Sequence, residues 1–145
     1  MAYTVSKVEI WTGEIEDQVG GLAGKLEPLA NAGADLEVVI ARRQPDRPGK
    51  GVVFVGPVPG AKARQAATAA GLSKAGNMAA LRVEGPNKAG AGYRLTRALA
   101  DSGLNLRGLS AAVLGSKFVA YLAFDSDGDA DKASRLLRAA GSKRK

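Results

Sequence analysis

Hydrophobic and polar positions alternate along the chain with strand spacing, then helix spacing, then strand spacing again. "TVSKVEIW" alternates over Val5–Trp11 and predicts a strand. Apolar residues then recur at helical spacing and predict a helix with one apolar face, at Leu22, Leu26, Leu29 and Ala30. "DLEVVIARR" and "GVVFVGPV" predict two more strands, and "GAKARQAATAAG" predicts an alanine-rich helix. The predicted order of the first half is βαββα.

The second half of the chain repeats this order. "AALRVEG" predicts a strand, and a helix is expected from about Ala91 to Ser102. "LNLRGLSAAVLG" and "KFVAYLAF" predict an antiparallel pair about a short turn at Gly115–Ser116. "DADKASRLLRAA" predicts a closing helix with one apolar face. The second half is therefore also βαββα.

The two halves are copies at the level of sequence. A shift of 70 residues places "DQVGGLAGKLEPLANAGADLEVV" on "NKAGAGYRLTRALADSGLNLRGL", so that Gly20 falls on Gly90 and Gly33 falls on Gly103. A repeat of this length indicates two copies of one supersecondary unit. We therefore predict two domains, residues 1–75 and residues 76–145, the second ending in a basic tail.

Each copy needs one closing strand to complete a ferredoxin-like βαββαβ unit of the α+β class. In the first copy the only candidate lies in "LSKAGNM", between Leu72 and Met78, and the second copy ends at "GSKRK" without a candidate. We expect fourth strands that are short, shared or missing. A sheet edge left unpaired in this way is usually covered by association, so we also expect a homodimer.

The composition narrows the chemistry that the chain can perform. The 145 residues include no histidine and no cysteine, which excludes Ser-His-Asp and Cys-His catalysis, disulfides and the usual nitrogen and sulfur zinc site. No apolar run approaches the ~18 residues of a membrane span, and the N-terminus has no signal-peptide pattern. We expect a cytoplasmic protein with no catalytic residues, no metal, no cofactor and no membrane partner.

The net charge of +7 is unevenly distributed. Residues 1–72 carry eight basic and eight acidic side chains, whereas residues 73–145 carry thirteen and six. Three of the basic residues form the C-terminal tail, Lys143, Arg144 and Lys145. A solvated surface with a frayed basic end is the ordinary interpretation, and attraction to an anionic partner is the alternative.

Both copies place a glycine loop just before the first helix, and such a loop can bind a carboxylate. A helix start exposes unpaired backbone N–H groups and partial positive charge, and glycine allows close approach. "NKAGAG" adds the Asn87 amide and the Lys88 charge, while "DQVGG" places Asp17 where it repels a carboxylate but can hold an ammonium group. The two loops therefore offer complementary groups for a zwitterion, if they face a shared cleft. The alternative is that both loops are only tight turns.

The repeated pattern resembles the ACT domain, a small-ligand-sensing module of regulated amino-acid metabolism. The residues that carry the resemblance are Gly20 to Leu36 and Gly90 to Leu106, together with the βαββα order. The family usually has proline before the loop glycine, where Val19 and Ala89 stand here. The resemblance implies a βαββαβ fold, domains that pair side by side into one sheet, and amino-acid ligands beside the glycine loop. The implied ligand-binding residues are Asp17, Gln18, Val19, Gly20, Gly21, Asn87, Lys88, Ala89, Gly90, Ala91 and Gly92.

Three nucleotide or metal motifs fail on particular residues. "VGGLAGKL" would need glycine at Val19 and Ser or Thr at Leu26 to be a phosphate loop. "AGAGYRL" would need glycine at Leu95 to bind a dinucleotide. "DSDGDADK" lacks the glycine and glutamate of a calcium loop, since Ala130 and Leu136 stand there.

Two broader functions are also less favoured. The aromatic residues of "KFVAYLAF" lie at strand spacing without an RNA-recognition motif, so nucleic-acid binding is not expected. An acid–base enzyme would need its carboxylates in the cluster at Glu14, Glu16 and Asp17, which is an ordinary solvated loop. We predict a non-catalytic regulatory protein that senses an amino acid at domain interfaces and acts on a regulated enzyme partner. An interaction or scaffold module without a ligand is the alternative.

Overall fold

The computed structural model describes residues 3–142 of the chain, and the basic tail Lys143–Lys145 lies outside them. The described residues form two compact units. The first unit is Glu9–Ala75, and the second unit combines residues 3–8 with residues 76–142. Each unit has its own sheet and its own core.

The first unit follows a short strand that belongs to the second unit, β1 (Thr4–Val8). Its elements in chain order are β2 (Trp11–Glu16), α1 (Gly21–Asn31), β3 (Val38–Arg43), β4 (Lys50–Gly56), α2 (Ala61–Ala69) and the two-residue β5 (Ser73–Lys74). The sheet has the order β3-β4-β2-β5, and all neighbours are antiparallel. This is the βαββαβ order, with a fourth strand of minimal length.

The second unit has the same arrangement. Its elements are β6 (Ala79–Pro86), α3 (Ala91–Asp101), β7 (Gly108–Leu114), β8 (Lys117–Phe124) and α4 (Asp127–Ser142), together with β1. The sheet has the order β1-β6-β8-β7, again with antiparallel neighbours. The position held by β5 in the first unit is held here by β1, which comes from the other end of the sequence. The expected short and shared fourth strands are both present.

The predicted strand over Val5–Trp11 is corrected by the structure, which contains two strands there. β1 pairs with β6 of the second unit, whereas β2 begins at Trp11 and pairs with β4 of the first unit. Residues 3–8, which the sequence assigned to the first domain, therefore lie with the second unit. Val8, Glu9 and Ile10 alternate, and the phase changes only where the apolar residues Ile10 and Trp11 stand side by side, so the pattern does not identify the new pairing partner.

Each unit buries most of the apolar positions that the sequence predicts; of the four predicted in α1, Leu29 is buried, Leu22 and Leu26 are half-buried, and Ala30 is exposed. In the second unit the core joins Val5 of β1 to buried residues from β6, α3, β8 and α4, including Val83, Leu95, Leu99, Phe118, Leu122, Phe124 and Leu137. In the first unit the core includes Trp11, Leu29, Val53, Val55, Ala67 and Leu72. Phe118 and Phe124 are packing residues, so they offer no exposed ring on which a base can stack.

The junction of β1 with the second unit is also held by side chains. Arg138 of α4 donates a hydrogen bond of 2.6 Å from Nη2 to the Val5 carbonyl oxygen. Lys7 and Asp131 form an ion pair of 2.6 Å, and the hydrogen bond from Lys7 lowers the pKa of the Asp131 carboxyl. The first eight residues are thus bonded to both β6 and α4 of the unit they complete.

We predict that Val5→Ala destabilises the second unit. Val5 is only 6% exposed, and truncating its side chain is expected to lower the free energy of unfolding by up to about 2 kcal/mol. Hydrogen exchange should accelerate in Ala79–Pro86 and remain unchanged in Trp11–Glu16. Ser6→Ala is the matched control, because Ser6 is exposed on the same strand. Equal acceleration in both units would contradict the assignment of β1 to the second unit alone.

Candidate ligand-binding site

Helix α3 of the second unit begins at a glycine in the left-handed conformation. Gly90 has φ 81° and ψ 5°, a region that residues with a Cβ adopt only at a cost. No side chain among the described residues caps this helix start, so the first-turn N–H groups other than that of Ala91 keep their capacity to donate to an anion. The local turn is closed by a hydrogen bond of 3.0 Å from the Ala91 amide to the Lys88 carbonyl oxygen.

A cavity of about 490 Å³ adjoins this helix start. Its polar end is formed by the loop and the first turn of α3, and its walls come from α3, β7 and β8. The loop and helix contribute Asn87, Lys88, Gly90, Ala91, Gly92, Leu95 and Thr96; the strands contribute Leu109, Ala111, Ala112, Val113, Phe118 and Ala120. A pocket of this size with few polar groups is typical of small-molecule sites.

Gly92 leaves the cavity open at the first turn of α3. A Cβ built at Gly92 meets no atom within 4 Å, so the space beside it is empty rather than packed. The Thr96 hydroxyl donates back to the helix and lies 2.9 Å from the Gly92 carbonyl oxygen. The Arg94 guanidinium lies beside Gly90 and donates a hydrogen bond of 3.1 Å to the Ala89 carbonyl oxygen. Arg94 does not line the cavity, and the space beside Gly92 is open.

The first unit has the same backbone at this place but different side chains. Gly20 starts α1 with φ 84° and ψ −4°, again without a side-chain cap among the described residues. Leu22 stands where the second unit has Gly92, and it packs against the core of the first unit. Asp17 stands where the second unit has Asn87, and its carboxylate accepts a hydrogen bond of 2.5 Å from Nε of Arg43. The Asp17 carboxylate, which was predicted to bind a ligand ammonium group, is therefore already paired with Arg43.

A second recess, of about 370 Å³, lies in the first unit on the opposite flank of the helix start. It adjoins β2 and the end of α2, and it contains the predicted residues Gln18, Gly20 and Gly21. Lys25 crosses its wall and donates a hydrogen bond of 2.7 Å to the Ala70 carbonyl oxygen. Of the other predicted site residues, Asp17, Val19 and Ala89 line neither cavity.

The cavities of the two units lie on opposite flanks of the helix start because the large side chain of one cross-strand pair stands on different strands in the two units. In the second unit Phe118 of β8 lies over its partner Gly85 of β6, where an added Cβ would come within 2.7 Å of the ring. In the first unit the large residue is on the other strand, because Ile15 of β2 lies over Gly51 of β4. The bulky side chain therefore leans toward β6 and away from β7 in the second unit, and toward β4 and away from the short fourth strand in the first, and in each unit the cavity lies on the flank that is left open.

The acidic cluster near the first loop is neutralised within the first unit. Glu14 pairs with Arg47 at 2.7 Å and Glu16 pairs with Lys50 at 2.7 Å. The hydrogen bond to Glu16 raises the pKa of the Lys50 ammonium group. These acids therefore act as ion-pair partners of neighbouring strands and loops. Within residues 3–142 no group of three or more Asp and Glu side chains is arranged to hold a metal ion, and no helix is long and apolar enough to cross a membrane.

The site residues predicted from the sequence include the loop residues of this cavity but not the residues of its walls. The missed residues are Leu95, Thr96, Leu109, Ala111, Ala112, Val113, Phe118 and Ala120. The sequence repeat could have identified them if the two copies had been aligned with a change of offset. β8 corresponds to β4 at an offset of 67 residues, whereas the rest of the repeat has an offset of 70. With that offset, the cross-strand pair Arg43 and Gly51 corresponds to the pair Val113 and Phe118, and both residues of the pair differ between the two copies.

We predict opposite outcomes for alanine at the two glycines of the second loop. Gly90→Ala should lower the free energy of unfolding by about 1–2 kcal/mol, because alanine is strained at positive φ. Gly92→Ala should leave stability unchanged or slightly raised, since its backbone is helical and its surroundings are open. Chemical denaturation of both variants measures the difference. Equal stability of the two variants would show that Gly90 does not require its left-handed conformation.

Comparison with known proteins supports the fold. No family model and no curated protein matches the sequence. Among solved structures, protein BT0572 from Bacteroides thetaiotaomicron is similar, with a TM-score of 0.77 and 14% identity over 94% of this chain and 90% of that one. The regulatory subunit of aspartate kinase from Thermus thermophilus, in its ligand-free form, is also similar, with a TM-score of 0.67 and 17% identity over 100% of this chain and 98% of that one.

A further regulatory subunit of aspartate kinase, from Thermus flavus, has a TM-score of 0.63 and 17% identity over 97% of each chain. All three similarities extend over both units of the described structure and are not confined to one of them. The chain therefore has the fold of two ACT-type regulatory domains in tandem.

Proposed function

We propose that this chain is a non-catalytic regulatory protein of the cytoplasm that binds an α-amino acid at the start of α3. The observation that carries the proposal is the coincidence of three features at one place: an uncapped helix start, an open position at Gly92, and the adjoining cavity of about 490 Å³. In this proposal the predicted residues of the second loop bind the ligand, and those of the first loop form a turn.

The chemistry of the cavity matches the two charges of an amino acid. First-turn N–H groups and the helix dipole stabilise a carboxylate, and the Lys88 ammonium group adds positive charge at the same end. The Asn87 side-chain oxygen is an acceptor for the ligand ammonium group. In this proposal the ligand side chain then extends along α3 toward β7 and β8.

The cavity wall offers a route from ligand binding to a change in association. β7 is an edge strand, and its residues Leu109 and Val113 line the cavity while remaining 44% and 55% exposed. An edge strand presents unpaired backbone groups to a second chain. We propose that β7 pairs with β7 of a second copy, so that ligand binding favours one arrangement of a homodimer. A ligand shifts such an equilibrium only by its difference in affinity for the two arrangements.

The composition of β7 makes it the better edge for self-pairing. Its seven residues carry no charge, and antiparallel pairing about Ala111 would place Leu109 opposite Val113. The corresponding strand β3 ends in Arg42 and Arg43, which the same pairing would place against Ile40 and Val39. Burying guanidinium groups against aliphatic side chains is unfavourable, so β3 is not the proposed interface.

The output of such a module is another protein, and the comparisons support the class of partner. The chain is similar over nearly its whole length to proteins described as regulatory subunits of aspartate kinase. We propose that it regulates an enzyme in the same manner, as a separate subunit or as part of a larger assembly. A scaffold without a ligand is the second candidate, favoured by the exposed apolar residues of β7 at Leu109, Val113 and Leu114.

We predict that Gly92→Leu abolishes or weakens amino-acid binding without unfolding the chain. The first unit accepts leucine at the matching position 22, and the space at Gly92 is open. The added side chain would cover the helix start and remove one or two charge-assisted hydrogen bonds of ~1.5–3 kcal/mol each, which is about tenfold or more in affinity.

The measurement is a thermal-shift screen of the twenty amino acids, followed by calorimetric titration of wild type and variant with each hit. Gly24→Leu is the matched control, because Gly24 lies in α1 of the first unit and is also open. Unchanged affinity in a folded Gly92→Leu protein would place the ligand elsewhere. No stabilisation by any amino acid would favour the scaffold.

We predict that Leu109→Lys shifts the chain from dimer to monomer. The substitution places a charge opposite Val113 of the second copy in the proposed β7 pairing, where an aliphatic contact is lost and the charge has no acidic partner. Val39→Lys is the matched control, because Val39 occupies the same repeat position on β3 and has the same exposure of 44%. Sedimentation equilibrium at micromolar concentration distinguishes the two. Dissociation by the Val39 substitution, or a wild-type monomer, would contradict the β7 interface.

A further inference from the structure

We propose that the ligand of the second unit is an amino acid with an uncharged aliphatic side chain, and that each chain binds one such ligand. This inference rests on the proposed function and adds the substrate class and the number of sites. It follows from three properties of the cavity: which walls are apolar, where its charge lies, and which of its features the first unit lacks.

Beyond the polar end the walls are mostly hydrocarbon, and the Thr96 hydroxyl that lies among them is bonded to the helix backbone. Leu95 and Phe118 are almost completely buried and form the inner wall, while the side chains of Leu109 and Val113 form the outer wall. The Phe118 ring is fixed over Gly85 and makes an edge contact with Tyr3, with ring centroids 6.3 Å apart. A ligand side chain that extends from the helix start therefore meets rigid apolar surface.

Charge is confined to one end of the cavity. Among residues 3–142, Lys88 is the only charged residue that lines it, and none of these lining residues is a carboxylate. A lysine or arginine ligand would place its second cation without an acidic partner, and a glutamate ligand would place its second carboxylate against Phe118 and Val113. Either arrangement places a charge against apolar surface without an oppositely charged partner. An aliphatic side chain has no charge to desolvate and is stabilised by burying apolar surface there.

Two small residues that face each other on the sheet create the space for an aliphatic ligand side chain. Ala111 and Ala120 face each other across β7 and β8, and both line the cavity. The matching pair in the first unit is Ala41 and Val53, so the larger residue of the two copies stands in the first unit. Together with Gly92, these alanines leave room between α3 and the sheet.

The first unit lacks these features at its matching position. Leu22 replaces Gly92, Arg43 replaces Val113, and Arg43 is paired with Asp17. The apolar wall thus becomes a charged ion pair, and the open position beside the helix start is filled. We therefore expect one aliphatic ligand per chain, bound in the second unit.

Calorimetric titration of the full chain tests the substrate class. The probes are leucine, isoleucine, valine and methionine, compared with lysine, glutamate and serine, which have the same ammonium and carboxylate groups. We expect at least one aliphatic probe to bind tenfold or more tightly than each of the three polar probes, at one ligand per chain. Leucinamide, which lacks the carboxylate, should bind at least tenfold more weakly than leucine.

A specificity variant makes the same test from the protein side. Val113→Asp installs a carboxylate on the cavity wall at a position that is 55% exposed, so folding should be preserved. Leucine affinity should fall tenfold or more, and lysine should gain affinity relative to leucine. Leu114→Asp is the matched control, because Leu114 is the next residue of β7 and does not line the cavity; it should leave the preference unchanged.

The outcomes separate this inference from the function on which it rests. If no amino acid binds, the proposed function is wrong and this inference falls with it. If a polar amino acid binds best and Gly92→Leu abolishes its binding, the site is correct and the substrate class is overturned. Two ligands per chain would overturn the single site, as would a leucine affinity that Leu22→Gly changes and Gly92→Leu does not.

Discussion

The antiparallel ladder between Thr4–Val8 and Ala80–Glu84 is the constraint on which the rest of the structure depends. It supplies the edge strand that lies beside β6 in the second sheet, and it places Val5 in the core beside Val83. It also fixes the chain path, because the whole first unit is inserted between two neighbouring strands of the second. The second unit is complete only when residues separated by more than seventy positions have met, a separation that adds to the entropic cost of its folding.

The two units share one backbone arrangement, and a few side chains give them different surfaces. Both helices begin at a left-handed glycine, and both lack a side-chain cap among the described residues. The difference arises where Gly92, Val113 and Phe118 replace Leu22, Arg43 and Gly51. The second unit thereby combines an uncapped helix start with an apolar cavity. The first unit carries an ion pair at that place and keeps a polar recess on its other flank.

The repeat made most of the fold predictable from sequence, because spacing and glycine positions depend on local backbone geometry. The helices, the central strands and the βαββαβ order follow from that pattern, and the comparisons with known structures confirm the tandem fold. The separation of β1 from β2 at Glu9 and Ile10 was not predicted, because an alternating pattern shows which face of a strand is buried and does not show which strand it pairs with. The cavity walls were also missed, because Val113 and Phe118 read as ordinary strand residues until the three-residue change in repeat offset aligns them with Arg43 and Gly51.

The most direct test of the account is a titration of the isotope-labelled chain with leucine, followed residue by residue through its backbone amide resonances. Gly90, Ala91 and Gly92 should shift most, together with the wall strands at Ala111 and Val113, since these surround the cavity. The matching amides of the first unit, Gly20, Gly21 and Leu22, should remain unchanged. Shifts concentrated at the first loop, or spread equally over both, would contradict the claim that the two copies have diverged into one ligand site and one turn.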